Sequence, residues 1–348
     1  MDIERPAQLL DYLRTHGHLL PGQIVSSRLL EGGVSNRTVL VERRAADGTP
    51  LGDWVMKQAL ERLRVAVEWH SSPLRIHREA AGMRALGELL PVGTVPALLF
   101  EDSEHHLLAM SAVSQPHANW RDELLAGRIE PALVEQYGAL LGRIHGMSRA
   151  RASEYAPAFA DRSFFESLRL EPYYRYAALK LRDAAAALEQ LCVETLESRG
   201  ALVHGDFSPK NLLVRSGTLV LLDHEVIHWG DPAFDVGFSL SHLLSKARHL
   251  PASSTAFMAA AARSWAAYVA AHGPGITAAY EDRCQRHLLA CLLARVDGRS
   301  PLAYLSPGAR DAQRQAASRL LVARPVGMPA LFIAYSATLD TGTHARHR

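Results

Sequence analysis

Residues 204–211 read HGDFSPKN, an aspartate, a proline and an asparagine just after the short apolar stretch LVHG. Taken singly, Asp206 is a turn residue and Asn211 caps a loop. The segment that follows changes the weighting. NLLVRSGTLVLLDHEV (211–226) has two leucine-rich or β-branched runs separated by RSG, which predicts a hairpin that returns Asp223 beside the loop. Asp206, Asn211, Asp223 and Glu225 then converge. Three carboxylates and an amide oxygen suit a hard divalent cation, and Asp206 is the spare carboxylate, placed to accept a proton.

Around this segment the chain divides by character. From about residue 20 to 115 it is strand-rich. Ile24–Leu30 and Thr38–Arg43 flank EGGVSN, DGTPLG is a second turn, and WVMKQAL is a short strand ending near Lys57. RIHREAAGMRALGELLP repeats Ile76, Ala80, Met83, Leu86 and Leu90 at helical spacing before Pro91 stops it. VPALLFED and HHLLAMSAV are two more strands, so the pattern predicts a small antiparallel sheet carrying one helix. Beyond about residue 116 the segments are helical and rich in Ala, Leu and Arg. The expected division is 1–113 and 114–348.

The chain is 348 residues long, with 48% hydrophobic and 21% charged residues, enough for a large buried core and two lobes. Cys192, Cys284 and Cys291 are an odd set without C-x-x-C spacing, which argues for buried thiols over disulfides or zinc. The start is acidic and amphipathic where a signal peptide would be basic and then apolar. The longest weakly polar stretch, FMAAAARSWAAYVAA, is interrupted by Arg263 and too short to span a bilayer. A cytoplasmic location is expected. Only four of the 38 basic residues are lysines (Lys57, Lys180, Lys210 and Lys246), so each lysine invites a question.

HGDFSPKN followed by LLDHEVIHWGDPAFD resembles the catalytic core of the aminoglycoside phosphotransferase-like kinases, a small-molecule branch of the protein-kinase-like fold. Through GGVSN, VMKQAL and a long connection before the helix carrying Glu79, the amino-terminal half is similar to methylthioribose kinase. The resemblance implies a bilobal α+β fold, with a small antiparallel-sheet lobe and a larger, mostly helical one, using ATP and Mg2+. It implies that Lys57 holds the nucleotide phosphates, oriented by Glu79, a point-charge task that the planar guanidinium of arginine suits poorly. Gly32, Gly33 and Ser35 would fold over the phosphates through backbone N–H groups, and Met110 and Ala112, in the MSAV hinge, would meet the adenine. Asp206 would orient or deprotonate the attacking hydroxyl. Asn211 and Asp223 would bind magnesium, Glu225 would hold a ligand water or a second metal, and Asp235 would brace the loop.

Eleven residues separate Asp223 from Asp235, leaving no room for the activation segment that a peptide substrate needs, and Ser208 stands where a protein kinase has lysine. The partner expected is a small-molecule hydroxyl compound, not nucleic acid or membrane. From Val236 to Arg348, thirteen basic residues against five acidic ones disfavour a polycationic acceptor and favour a neutral or anionic sugar or nucleoside-like compound. Candidate acceptor contacts are Trp229, Arg295 and Asp297, the last two in the polar interruption ARVDGRSP. Trp229 and Trp69 have an equal reading as core filling. The methylthioribose kinase resemblance implies a homodimer. Two other functions stay open: an antibiotic-inactivating O-phosphotransferase, and a non-catalytic nucleotide-binding module, although Lys57, Asp206, Asn211 and Asp223 are all present.

Overall fold

The computed structural model describes residues 1–30, 35–64 and 69–340. It contains two compact units, Met1–His117 with Val220–Glu225, and Ala118–Leu219 with Val226 onward.

The first unit is built on a five-stranded antiparallel sheet. Its strands are β1 (Ile24–Leu29), β2 (Asn36–Arg44), β3 (Trp54–Ala59), β4 (Leu98–Asp102) and β5 (Leu107–Ser111), in the order β1-β2-β3-β5-β4. Side chains alternate between its faces, and each face meets a different helix. α1 (Pro6–Thr15) sets Leu9, Tyr12 and Leu13 against Val39, Val41, Met56, Leu107 and Ala109. α2 (Arg75–Leu89) sets Ile76, Ala80 and Met83 against Ala59, Leu108 and Met110. The one-helix expectation for this unit is therefore corrected. The spacing of Leu9, Tyr12 and Leu13 makes a second apolar helix face, and it covers the side of the sheet that α2 leaves bare. Met56 points to the α1 face, so its neighbour Lys57 points to the α2 face, where Glu79 lies between Ile76 and Ala80.

The second unit is mostly helical. It opens with a two-residue strand, β6 (Ala118–Asn119), and α3 (Trp120–Leu125), α4 (Pro131–Ala150) and α5 (Ala152–Ala158). A continuous helical run then comprises α6 (Ser163–Phe165), a π-helical stretch over Glu166–Arg175, and α7 (Tyr176–Lys180), with α8 (Arg182–Glu197) after it. β7 (Ala201–Val203) ends at the HGDFSPKN loop, and β8 (Leu212–Arg215) leaves it. Ser216 and Gly217, both at positive φ, make the two-residue turn into β9 (Thr218–Leu221), as the RSG signal predicts. β9 carries the chain into the first unit. β10 (His228–Gly230) pairs antiparallel with β7, Trp229 opposite Leu202.

The remaining helices are α9 (Pro232–His249), α10 (Ser254–His272), α11 (Ala278–Asp297), α12 (Pro307–Ala323) and α13 (Met328–Asp340). α9 begins where the sequence GDP dictates: Asp231 caps it by accepting the Ala233 N–H, and Pro232 occupies the first turn. α4 and α10 approach closely because Gly142 faces Tyr268, where a Cβ would stand 2.5 Å from the carbonyl oxygen. The three cysteines are buried and free. Among the described residues, no helix is long and apolar enough to cross a membrane.

Candidate active site

In the first unit, the register Thr38↔Lys57↔Leu108 fixes Lys57 in the middle of the sheet. Its Nζ lies 2.6 Å from Glu79 Oε1 and 3.1 Å from Asp223 Oδ1. Burial works against the Lys57 ammonium, but the Glu79 and Asp223 carboxylates outweigh it and hold the group above its ordinary range. Glu79 is fully buried. Burial, opposed by Lys57, pushes its carboxyl up to about 7. Asp223 adopts the left-handed conformation, φ 68°, which aspartate tolerates better than most residues and which marks a constrained position.

The same unit holds Glu225, whose Oε2 accepts from Arg75 Nε at 3.1 Å and Asn36 Nδ2 at 3.4 Å. Arg75 is fully buried, and its Nη2 donates to the Ser35 and Leu60 carbonyls. Ser35 thus lies in a tightly bonded corner of the sheet. Gly32 and Gly33 lie outside the described residues. Met110 is a core residue of the α2 face, paired with Val55 and Leu98. The Ala112 N–H donates to Asp53 O at 2.9 Å, so that donor is engaged within the sheet. An adenine contact through it would need a shared hydrogen bond.

In the second unit, the HGDFSPKN loop is pinned at its start. Asp235, on the first turn of α9, accepts the His204 N–H at 2.6 Å and the Gly205 N–H at 2.8 Å, one on each carboxylate oxygen. Gly205 has φ 78°, and a Cβ there would meet Val226 Cγ2 at 2.9 Å. Gly205→Ala is therefore expected to destabilise the fold by about 1–2 kcal/mol from the backbone alone, with more from the Val226 collision. A thermal melt equal to wild type would contradict this.

Three donors meet Asp206 Oδ2: Asn211 Nδ2 at 2.8 Å, Lys210 Nζ at 2.9 Å and Arg169 Nη2 at 3.0 Å. Asn211 Nδ2 also donates to the Asp206 carbonyl at 2.9 Å, and its backbone N–H to the Ser208 carbonyl at 3.0 Å, across the short helical turn Pro209–Asn211. Its amide nitrogen is thereby committed to Asp206, and its oxygen is the group presented elsewhere. An amide oxygen of this kind is a suitable ligand for a hard divalent cation, as is, in the first unit, the carboxylate of Asp223.

The sequence assigns no site role to Arg169 or Lys210. Arg169 sits on the π-helical stretch and also donates from Nε to the Gly205 carbonyl at 2.9 Å; π-helical turns often re-aim side chains at functional sites. Lys210 carried a signal, as one of four lysines in an arginine-rich chain. It supplies a cation four residues after Asp206, where Ser208, two residues after it, supplies none.

The acceptor candidates separate. Trp229 is 4% exposed, in the core beside β7, with its backbone N–H on Phe159 O. Asp297 is held by both arms of Arg314 at 2.8 and 2.9 Å. Arg295 is buried, donating to the Tyr173 hydroxyl at 3.1 Å and to Ser300 O at 2.7 Å.

Comparison with known proteins adds to this geometry. The chain is 27% identical over 271 residues to methylthioribose kinase of Yersinia pseudotuberculosis, and 28% identical over 268 residues to that of Klebsiella pneumoniae. Each alignment covers 70% of this chain, and the chain spans 65% and 66% of those relatives' own lengths. Among solved structures, the amicoumacin kinase hAmiN, in complex with AMP-PNP, Ca2+ and Ami, superposes with TM-score 0.54 at 15% identity over 93% of this chain and 96% of that one. A choline kinase from Cryptosporidium parvum Iowa II does so with TM-score 0.54 at 10% identity, over 94% and 99%. Likeness at such identities speaks to the kinase-like bilobal α+β fold alone. The phosphotransferase family pattern matches residues 26–266, a span that takes in Lys57, Glu79, the Asp206 loop and Asp235; the chain belongs to the phosphotransferase enzyme family.

Proposed function

We propose that this protein is a small-molecule kinase that moves the terminal phosphoryl group of ATP to a hydroxyl of a sugar-like or nucleoside-like acceptor, neutral or anionic. A methylthioribose-like compound is the leading choice. The observation that carries the reading is the Asp206 carboxylate, oriented on one oxygen by Arg169, Lys210 and Asn211 at the mouth of a braced loop. Support comes from the Lys57–Glu79 pair and from similarity to the methylthioribose kinases.

In the proposed reaction, the acceptor hydroxyl gives its proton to Asp206 as its oxygen bonds to the terminal phosphorus. The bond to the bridging oxygen breaks, and ADP leaves with that electron pair. Lys57 positions the nucleotide phosphates, and Glu79 fixes Lys57. Asn211 and Asp223 would hold Mg2+, with Glu225, already offset by Arg75, in a supporting place. When bound, the ion neutralises charge on the phosphate oxygens. Most of the rate enhancement in such a reaction is positioning and charge neutralisation.

The test is Mg2+-dependent release of ADP across pentoses, thiosugars, nucleosides, choline and aminoglycosides, for wild type and Asp206→Asn. At least one acceptor should stimulate wild type and not the variant; equal behaviour across the panel sinks the proposal. Lys57→Met should lower kcat/KM for ATP by about 100-fold. It should also raise the Glu79 pKa above about 7, because Lys57 is the cation that opposes the effect of burial on Glu79. Carboxyl-labelled NMR titration reads that shift, and an unchanged or lowered value would contradict the pairing.

A further inference from the structure

Lys246 and His242, on α9, and Arg295, on α11, are 1%, 4% and 8% exposed, and each lies within electrostatic reach of the others. Lys246 Nζ lies 3.4 Å from the His242 carbonyl and 5.4 Å from the centre of the Tyr304 ring. The charged groups acting on Lys246 are Arg295 and Arg121, and those acting on His242 are Arg295, Lys246 and Lys210; every one is a base. Burial, with Arg295 and Arg121 adding to it, pulls the Lys246 ammonium down to about 7. His242 Nε2, Arg295 Nε and the Tyr304 hydroxyl are buried and meet no hydrogen-bond partner among the described residues.

Basic groups buried without an acidic neighbour are costly to charge, and groups perturbed in this way cluster at functional sites. The surroundings indicate the function here. Arg295 bonds the Tyr173 hydroxyl, and the guanidinium carbons of Arg295 and Arg169 stand 5.6 and 5.9 Å from the centre of that one ring. Arg169 is itself on Asp206. Lys210, also on Asp206, acts on His242. Two side-chain routes therefore join the basic cluster to the proposed catalytic carboxylate.

We infer that the acceptor carries an anionic oxygen group, a carboxylate or a phosphate, and that Lys246, Arg295, His242 and Tyr304 receive it while its hydroxyl faces Asp206. The inference rests on the kinase reading above and narrows its acceptor class from neutral or anionic to anionic. Asp297, with its carboxylate held by Arg314, stays outside this cluster.

Two measurements test it. The first needs no turnover: thermal melting of wild type and Lys246→Met at pH 6.5 in chloride, phosphate or acetate at equal ionic strength. The folded-state pKa of Lys246, about 7, lies below the unfolded value of 10.5. The lysine therefore costs stability, most fully below pH 7, and that cost fades as pH rises toward 10.5. Lys246→Met should accordingly melt at or above wild type in chloride. Phosphate or acetate should raise the wild-type Tm by at least about 2 °C and the variant's by less than half as much. Equal shifts, or a variant that melts well below wild type in chloride, overturn the inference and mark Lys246 as a packing residue.

The second measurement compares ribose 5-phosphate with ribose and gluconate with glucose as acceptors, so that phosphate and carboxylate are scored apart. The anionic member of at least one pair should have a kcat/KM about tenfold higher, and Lys246→Met or Arg295→Gln should collapse that ratio mainly through KM. Turnover of the neutral members with no anionic preference overturns the inference and leaves the kinase reading standing. A wild-type anion shift that Lys246→Met abolishes, without turnover of any acceptor in these pairs or in the wider panel, overturns the kinase reading and with it the acceptor assignment, and leaves the cluster as an anion site alone.

Discussion

Asp206→Asn is expected to lower kcat by about 10³-fold while leaving the Kd for ATP within about threefold. The change keeps the shape of the side chain and removes its ability to take a proton. It also withdraws the negative charge that Arg169 and Lys210 face at 3.0 and 2.9 Å, so near-normal folding must be checked by circular dichroism. The asymmetry follows from the proposed division of labour, in which Lys57, Asn211 and Asp223 would hold the nucleotide and Asp206 would serve the acceptor hydroxyl. Single-turnover kinetics beside calorimetric ATP binding separate the two. Parallel losses in both would show that Asp206 belongs to nucleotide binding.

Asp223→Asn should be the other severe lesion, with kcat/KM falling by about 10²- to 10³-fold. Asparagine also tolerates the left-handed backbone at this position, φ 68°, so the substitution isolates charge from conformation. The variant loses one of the two carboxylates that Lys57 faces and one proposed ligand of the cation. Half-maximal activity should then require at least about tenfold more Mg2+. Unchanged magnesium dependence would assign Asp223 to Lys57 alone.

The elements around these residues differ in how much of them local sequence carries. β1 to β5 and α2 follow from alternation, helical spacing and the glycine turns at Gly48 and Gly52, both at positive φ. The HGDFSPKN loop is legible for the same reason, since Asn211 closes on Asp206 five residues away. α1 shows an apolar face in its sequence, but the need for a second helix appears only when both sides of the sheet are seen. Arg169 gives no such signal: it reaches the Gly205 carbonyl across 36 residues from a π-helical stretch with no distinctive spacing. Arg75 finds Glu225 across 150 residues.

The acceptor side follows the same rule. Trp229 and Asp297 are residue types that often touch ligands, yet one is enclosed in the core and the other is engaged by Arg314. Lys246 stood out only as a rare lysine, and its setting comes from α9, α11 and the Tyr304 segment together.

The sequence by itself determined the order of strands and helices, the kinase-like class and the loop that carries Asp206 and Asn211, because turn chemistry and hydrophobic period act within about a dozen residues. Only the tertiary structure decided which cations stand on Asp206, which base offsets Glu225 and where basic groups are buried without acidic neighbours. Those pairings depend on how distant segments pack, and a side chain's partner and its dielectric surroundings exist only once the packing does.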